Sequence, residues 1–288
     1  MEVAFRFLLR PLFLSLLASN PKAGDLAHRK RTATQMLPRA VCFCHNVLQV
    51  PLALSILLDP RFARDALFFS TPFSRLVMLV SAGYFLYDTL ECLWRFDHEG
   101  PEFLLHGVMC FVTYAQLYRS RQMNWLGAGF LLWELSTPFM HLRWFLYKIG
   151  RDKSVLYPLN ALAGMLVFFL CRNCFGPWLS WQFLRQSSAA LATARGRREL
   201  WMPAIYFFRS AVVILNGLNA YWFSKMVRML IEVVNGGGGG DGEEGKKGKG
   251  EKSANGTARG GARKAGAAAS TNATPPRRRS SRMLAGQA

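Results

Sequence analysis

Apolar residues gather in blocks along this chain. Seven stand out, at roughly 3–18, 40–58, 74–94, 103–118, 123–142, 156–176 and 203–223. An α-helix rises about 1.5 Å per residue, so blocks of this length match a hydrocarbon core of ~30 Å. A helix also satisfies its own backbone N–H and C=O groups, which lipid requires. The pattern predicts an all-α fold: a polytopic transmembrane bundle of six or seven helices.

The first block is the least regular, because Arg6, Arg10 and Pro11 interrupt it. A signal peptide, an organelle-targeting peptide or a first membrane helix would each fit there. Ala18-Ser19-Asn20 makes a poor cleavage site, and Arg10 breaks what would be the apolar stretch of a signal peptide. A retained helix or interfacial segment is therefore expected. It is followed by a basic loop over 20–39 carrying Lys22, Arg29, Lys30, Arg31 and Arg39. At the other end, "GGGGG" (236–240) opens a Gly/Lys/Arg-rich stretch closing on "PPRRRSSR". Such a composition cannot bury enough apolar area to offset chain entropy, so 235–288 reads as a disordered tail. Residues 1–38 then form an N-terminal hydrophobic segment with its basic loop, and 39–234 the transmembrane domain.

Composition sharpens this picture. Apolar residues make up 51% and charged residues only 18%, which argues against a soluble globule. The net charge of +19 invites a nucleic-acid reading, but its distribution does not support one. The tail carries eleven Lys/Arg against four Asp/Glu, or +7, and the other +12 mostly flanks apolar blocks. No aromatic-basic module accompanies it, so nucleic acid is not an expected partner. Flanking bases read instead as topology signals and contacts to anionic headgroups, the basic tail included. The loops that share a side with the tail hold ten Lys/Arg against eight on the other, which places the C-terminus weakly in the cytosol. All six cysteines lie in apolar blocks, where a thiol behaves as a small hydrophobe. "CFCH" (42–45) and "CRNC" (171–174) lack a second pair at zinc spacing, so no metal and no cofactor is expected.

The candidate chemistry lies in the polar residues inside the blocks. Tyr84, Asp88, Glu91 and Arg95 fall within about 60° on one helix face. A lone charge at a membrane-helix centre costs ~2.5–3.5 kcal/mol on insertion scales, so this stripe should face other helices. Glu91 and Arg95, one turn apart, can pair. His106 and Thr113 share a face of the fourth block; Glu134, Thr137 and His141 share one in the fifth, where Pro138 frees a backbone carbonyl. Asn160 and Arg172 lie ~18 Å apart along the sixth. Arg209 and Asn216 share a face of the seventh. Each could be a satisfied packing contact or a ligand group.

The order of several segments resembles that of TLC-domain proteins, the superfamily that includes the ceramide synthases. They are "HNVLQVPLALSILLDPRF" (45–62), "GYFLYDTL" (83–90), "FLLHG" (103–107), "ELSTPFMHLRWFL" (134–146) and the stretch from Asn160 through "FFLCR" (168–172). The likeness covers about 39 to 230 and is greatest to the small TLC-domain-containing transmembrane proteins. Ceramide synthases share a His-His pair on one helix and a His-Asp…Asp cluster on the next. This chain has His106-Gly107 at the pair, and Trp133, Glu134 and Thr137 at the cluster. Residues that act as a unit rarely keep their chemistry after such losses, so acyl transfer is not the favoured expectation.

The resemblance implies lipid handling in an internal membrane, with the endoplasmic reticulum as the default and an organelle envelope left open. Asp88, Glu91, His106, Glu134, Asn160 and Arg172 are the candidate residues of a polar-lined intramembrane cavity for membrane lipids. Arg172 would meet an anionic headgroup, and Asp88 or Glu91 an amine. Two rival readings stand beside it. One is a residual acyltransferase with His106 as base and Glu134 orienting it; the other is a membrane-anchored adaptor acting through its basic tail. Lipid identity and oligomeric state stay open at this level.

Overall fold

The computed structural model of the protein describes residues 2–18, 20 and 24–235, the side chains of 2–6, 8 and 98 excepted. The tail from 236 onward, expected to be disordered, lies outside the described residues. What is described is helical. In order the helices are α1 (Glu2–Ala18), α2 (Leu26–Leu58), α3 (Pro60–Arg64), α4 (Pro72–Trp94), α5 (Phe96–Glu99), α6 (Pro101–Ser120) and α7 (Asn124–Leu131). They continue with α8 (Thr137–Lys148), α9 (Leu156–Phe168), α10 (Gly176–Ala192), α11 (Ala194–Glu199) and α12 (Met202–Val234). A 3₁₀ turn, Leu132–Ser136, joins α7 to α8, and a π-helical turn, Phe169–Phe175, joins α9 to α10. Among the described residues three helical rods are by themselves long and apolar enough to cross a membrane: α2, α4 and the continuous Leu156–Ala192.

Helix starts follow local chemistry. Asp25 Oδ1 accepts from His28 N at 2.8 Å at the head of α2. Thr71 and Ser74 exchange bonds in a capping box at the head of α4. Proline occupies the first turn of α3, α4, α6 and α12, where its missing N–H breaks no intrahelical bond; the prolines opening α8 and α10 instead follow non-α helical turns.

The distribution of side chains is that of a membrane protein. Gln49, Ser74, Ser81, Asn124 and Asn219 are 0–1% exposed, whereas Leu48, Leu90, Leu166 and Val213 are 57–67% exposed. In lipid the outward face must be apolar and polar groups must find partners inside. Gln49 Nε2 accordingly donates to Val77 O and Ser81 Oγ, tying α2 to α4. Asn124 Nδ2 donates to Ser74 Oγ at 2.8 Å, tying α7 to α4. The main core runs through α2, α4, α6, α7, α10 and α12, with Ile56, Met78, Leu126, Leu179 and Ile205 essentially sealed.

Two expected loops are helical instead. Most of the basic stretch 20–39 belongs to α2, which begins at Leu26. Ala33 and Met36 there bury against Leu17 of α1, with Phe13, Trp144 and Phe145 packed around them. This second cluster stabilises a turn sequence that its own periodicity does not advertise. It also sets α1 beside the part of α2 that precedes the apolar block. Asn20 Nδ2 donates to Lys148 O at 2.9 Å, pinning the chain after α1 to the end of α8. Gly150, at φ 77°, makes that approach possible, since a Cβ there would lie 2.6 Å from Asn20 Oδ1. The second expected loop, 177–202, is helical to Ala192 and again over α11. Pro177 should stop a helix at 176, because it cannot donate to Asn173 O. The π-helical turn just before it shifts the hydrogen-bond register, Gly176 N–H bonding Cys171 O, and the rod continues.

Candidate functional site

Two departures from α-helix face each other at the centre of the bundle, and each precedes a proline. Pro138 has no N–H to offer Glu134 O four residues back; Thr137 N–H takes that carbonyl instead, which makes the turn 3₁₀. Glu134, 7% exposed, is thereby turned inward. The π-helical turn likewise carries Arg172, 5% exposed, into the same space.

Arg172 is the hub. Its Nε donates to Trp133 O at 2.8 Å and Ser136 Oγ at 3.2 Å. Nη2 donates to Glu134 Oε1 at 3.1 Å and Thr137 Oγ1 at 3.2 Å, and Nη1 to Asn219 Oδ1 on α12 at 3.2 Å. The guanidinium also lies 5.1 Å from the Phe168 ring centroid. Glu134 is held at both oxygens, since Thr137 Oγ1 donates to Oε2 at 2.7 Å. His106 Nε2 approaches Oε1 only to 3.9 Å, beyond a hydrogen bond. The result is a charge-balanced pair clamped by four elements.

Against this cluster lies a cavity that is partly open to its surroundings. His106 and Glu134 sit on its wall, and the rest is mostly apolar: Phe85, Tyr114, Leu117, Met123, Phe130, Trp133, Phe183, Phe208 and Leu215 take part. From His106 to Leu117 is eleven residues of α6, or ~16 Å. The cavity is therefore a slot whose lining follows that run of α6, with His106 and Glu134 together at one end and mostly hydrocarbon and aromatic rings beyond them.

The six sequence candidates fall in different places. His106 and Glu134 line the slot. Arg172 stands behind Glu134, its donors directed at protein acceptors. Asn160 Nδ2 donates to Phe139 O at 2.8 Å and fastens α9 to α8. Glu91 pairs with Arg95 at 3.1 Å, and Arg95 also reaches Thr34 O at 3.4 Å. Asp88 lies over the α4–α6 contact, where a Cβ on Gly107 would be 3.5 Å from its Oδ2. Sequence reasoning did not single out His45, Ser136 or Asn219. His45 stacks on Tyr84 at 3.8 Å, and Tyr84 OH donates to Cys42 Sγ at 2.8 Å. Asn219 sits three residues after Asn216 in an apolar helix, a repeat that could have flagged a second polar face.

Comparison with known proteins agrees with this architecture. The TLC domain profile matches residues 36–228. The chain is 28% identical over 241 residues to "Topoisomerase I damage affected protein 4" of Saccharomyces cerevisiae, covering 79% of this chain and 83% of that protein. It is 31% identical over 159 residues to "TLC domain-containing protein 4" of Xenopus tropicalis, covering 54% and 59%. To "TLC domain-containing protein 1" of Gallus gallus it is 23% identical over 190 residues, covering 65% and 71%. The matched region starts within α2, ends within α12 and contains every residue of the Arg172–Glu134 cluster and its slot, so the chain belongs to the TLC-domain family.

Proposed function

We propose that this membrane protein binds a lipid in the slot and acts in lipid homeostasis by sensing, holding or moving that lipid within an internal membrane. The family-based expectation for that membrane is the endoplasmic reticulum. The observation that carries the reading is the slot itself, with apolar walls ending at His106 and Glu134. Apolar ligands are held by burial of their surface, and a few polar groups fix their orientation. The rigid clamp on Glu134 suits a binding site, because its carboxylate is fixed before a ligand arrives.

The test is mass spectrometry of lipid retained by the full chain purified in native membrane discs. Wild type should carry a lipid at near-stoichiometric amount. Ala211→Phe, which puts a ring into the slot at a site 3% exposed, should lose that lipid while keeping its helical content. Equal lipid in both proteins would leave the adaptor reading, in which the bundle anchors a basic tail.

One observation favours a second reading: His106 and Glu134 share the slot at 3.9 Å, so a shift of about 1 Å on substrate binding would bring a base and its orienting carboxylate into hydrogen-bond reach. Acyl-CoA of several lengths offered with a sphingoid base tests it directly. Turnover by wild type that His106→Gln abolishes would establish acyl transfer, since Gln keeps a hydrogen bond but cannot take a proton. Background turnover would leave binding as the function.

A further inference from the structure

Polar groups on the slot wall differ in how well they are satisfied. Tyr114 OH donates to Gly127 O at 3.0 Å, and Glu134 is held at both oxygens. Two lining residues are different: among the described residues Thr113 Oγ1 and Trp133 Nε1 are buried with no hydrogen-bond partner, and of the two only Thr113 can accept as well as donate. A threonine inside a helix ordinarily returns its hydroxyl to the carbonyl four residues back. Thr89 does so here, donating to Phe85 O at 2.7 Å. Thr113 lines the slot, and its buried hydroxyl makes no such bond among the described residues. An unmade hydrogen bond in such surroundings is costly, which calls for a partner inside the slot. His106 has spare capacity too: among the described residues its recorded polar contacts are Cys110 Sγ at 3.7 Å and Glu134 Oε1 at 3.9 Å. Thr113 lies seven residues further along α6, two turns or ~10 Å deeper.

We propose that the occupant of the slot is a single lipid chain bearing an oxygen partway along it, its polar end at His106 and Glu134 and its in-chain hydroxyl at Thr113. A hydroxylated acyl chain fits this pattern; a plain saturated chain would leave Thr113 unpaired. The assignment rests on the lipid-binding reading above and adds the chemical class of the ligand.

Competition binding to the full chain in lipid discs tests it. A fluorescent fatty acid serves as reporter, displaced by a saturated fatty acid or by the same chain hydroxylated at successive positions. Wild type should prefer one mid-chain isomer over the plain chain by about three- to tenfold, the range a single neutral hydrogen bond supports. Thr113→Val keeps the branched shape without the hydroxyl, and the ratio of hydroxylated-chain to plain-chain affinity should fall to about one. Equal binding of all isomers by wild type would overturn the in-chain oxygen while leaving lipid binding intact, water then being the partner of Thr113. A preference that survives in Thr113→Val would overturn the role of that hydroxyl. Reporter binding that Ala211→Phe leaves unchanged would overturn the underlying slot reading instead.

Discussion

Arg172 and Glu134 meet at 3.1 Å across the centre of the bundle, both nearly sealed from the surroundings and thirty-eight residues apart in the chain. Removing one member of a buried pair strands the other charge, a loss of about 3–5 kcal/mol. Arg172→Ala should therefore lower thermal stability in lipid discs sharply or prevent accumulation. Arg172→Lys should recover only part of it, because one ammonium cannot reach Trp133 O, Ser136, Thr137, Glu134 and Asn219 together. Wild-type melting of Arg172→Ala would show that the pair is not a structural hub.

Gly107 stands where the ceramide synthases, by resemblance, have the second histidine of their pair. Gly107→His nevertheless should not build a synthase here. A Cβ at this position would lie 2.9 Å from Thr89 Oγ1 and 3.3 Å from Thr89 Cα, so α4 and α6 would have to separate. Overpacking of this kind costs about 1–3 kcal/mol or more. Gly83, on the same α4 but with nothing within 4 Å of its would-be Cβ, is the control. Gly83→Ala should be neutral or stabilising. Comparing the two melting temperatures decides the matter, and equal values would show that the α4–α6 contact is loose.

Asp88 and Glu91 share a helix face but differ in partners. Glu91 pairs with Arg95, both side chains about one fifth exposed, so Glu91→Gln should cost no more than about 1 kcal/mol. Among the described residues Asp88 has no hydrogen-bond or ion-pair partner. Asp88→Asn should thus hold or raise the melting temperature of the lipid-stripped protein. A rise there, combined with loss of retained lipid, would identify the carboxylate as a contact for an amine-bearing headgroup.

Truncation after Val234 should leave the melting temperature of the bundle unchanged, since the main core ends with α12 residues near Leu215. It should weaken recruitment of anionic lipid around the protein in a salt-dependent way, because the tail removes a charge of +7. Lipid exchange into mixed anionic and neutral discs at low and moderate salt measures this. Identical anionic enrichment with and without the tail would reduce it to an appendage.

Two of the six candidate residues lie on the slot wall. His106 and Glu134 stood out because a His and a Glu inside apolar blocks are expensive unless used, and both reach the slot. Arg172 stood out for the same reason, but its partners come from Trp133, Ser136 and Asn219 on other segments, so its inward clamp could not be read. Asp88 and Glu91 look equivalent on a helical wheel; a single neighbour, Arg95, separates them. Thr113 gave no signal beyond its face, because whether a threonine hydroxyl turns back to its own helix depends on the rotamer that packing selects.

By itself the chain determined the environment and the helices of its apolar blocks. Blocks as long as a bilayer is thick admit only helices, and Pro72, Pro101 and Pro203 stand where three of them begin. Tertiary structure alone decided the rest. Helix α2 extends back from its apolar block to the Asp25 cap, and there Ala33 and Met36 bury against Leu17 beside Trp144. The rod from Leu156 to Ala192 survives Pro177 because the π-helical turn before it widens the register, and Arg172 sits in that turn with acceptors waiting on three other elements. Apolar periodicity reports only that a face is buried. Which residues meet across it depends on helix order, tilt and register, which side chains from distant segments set together.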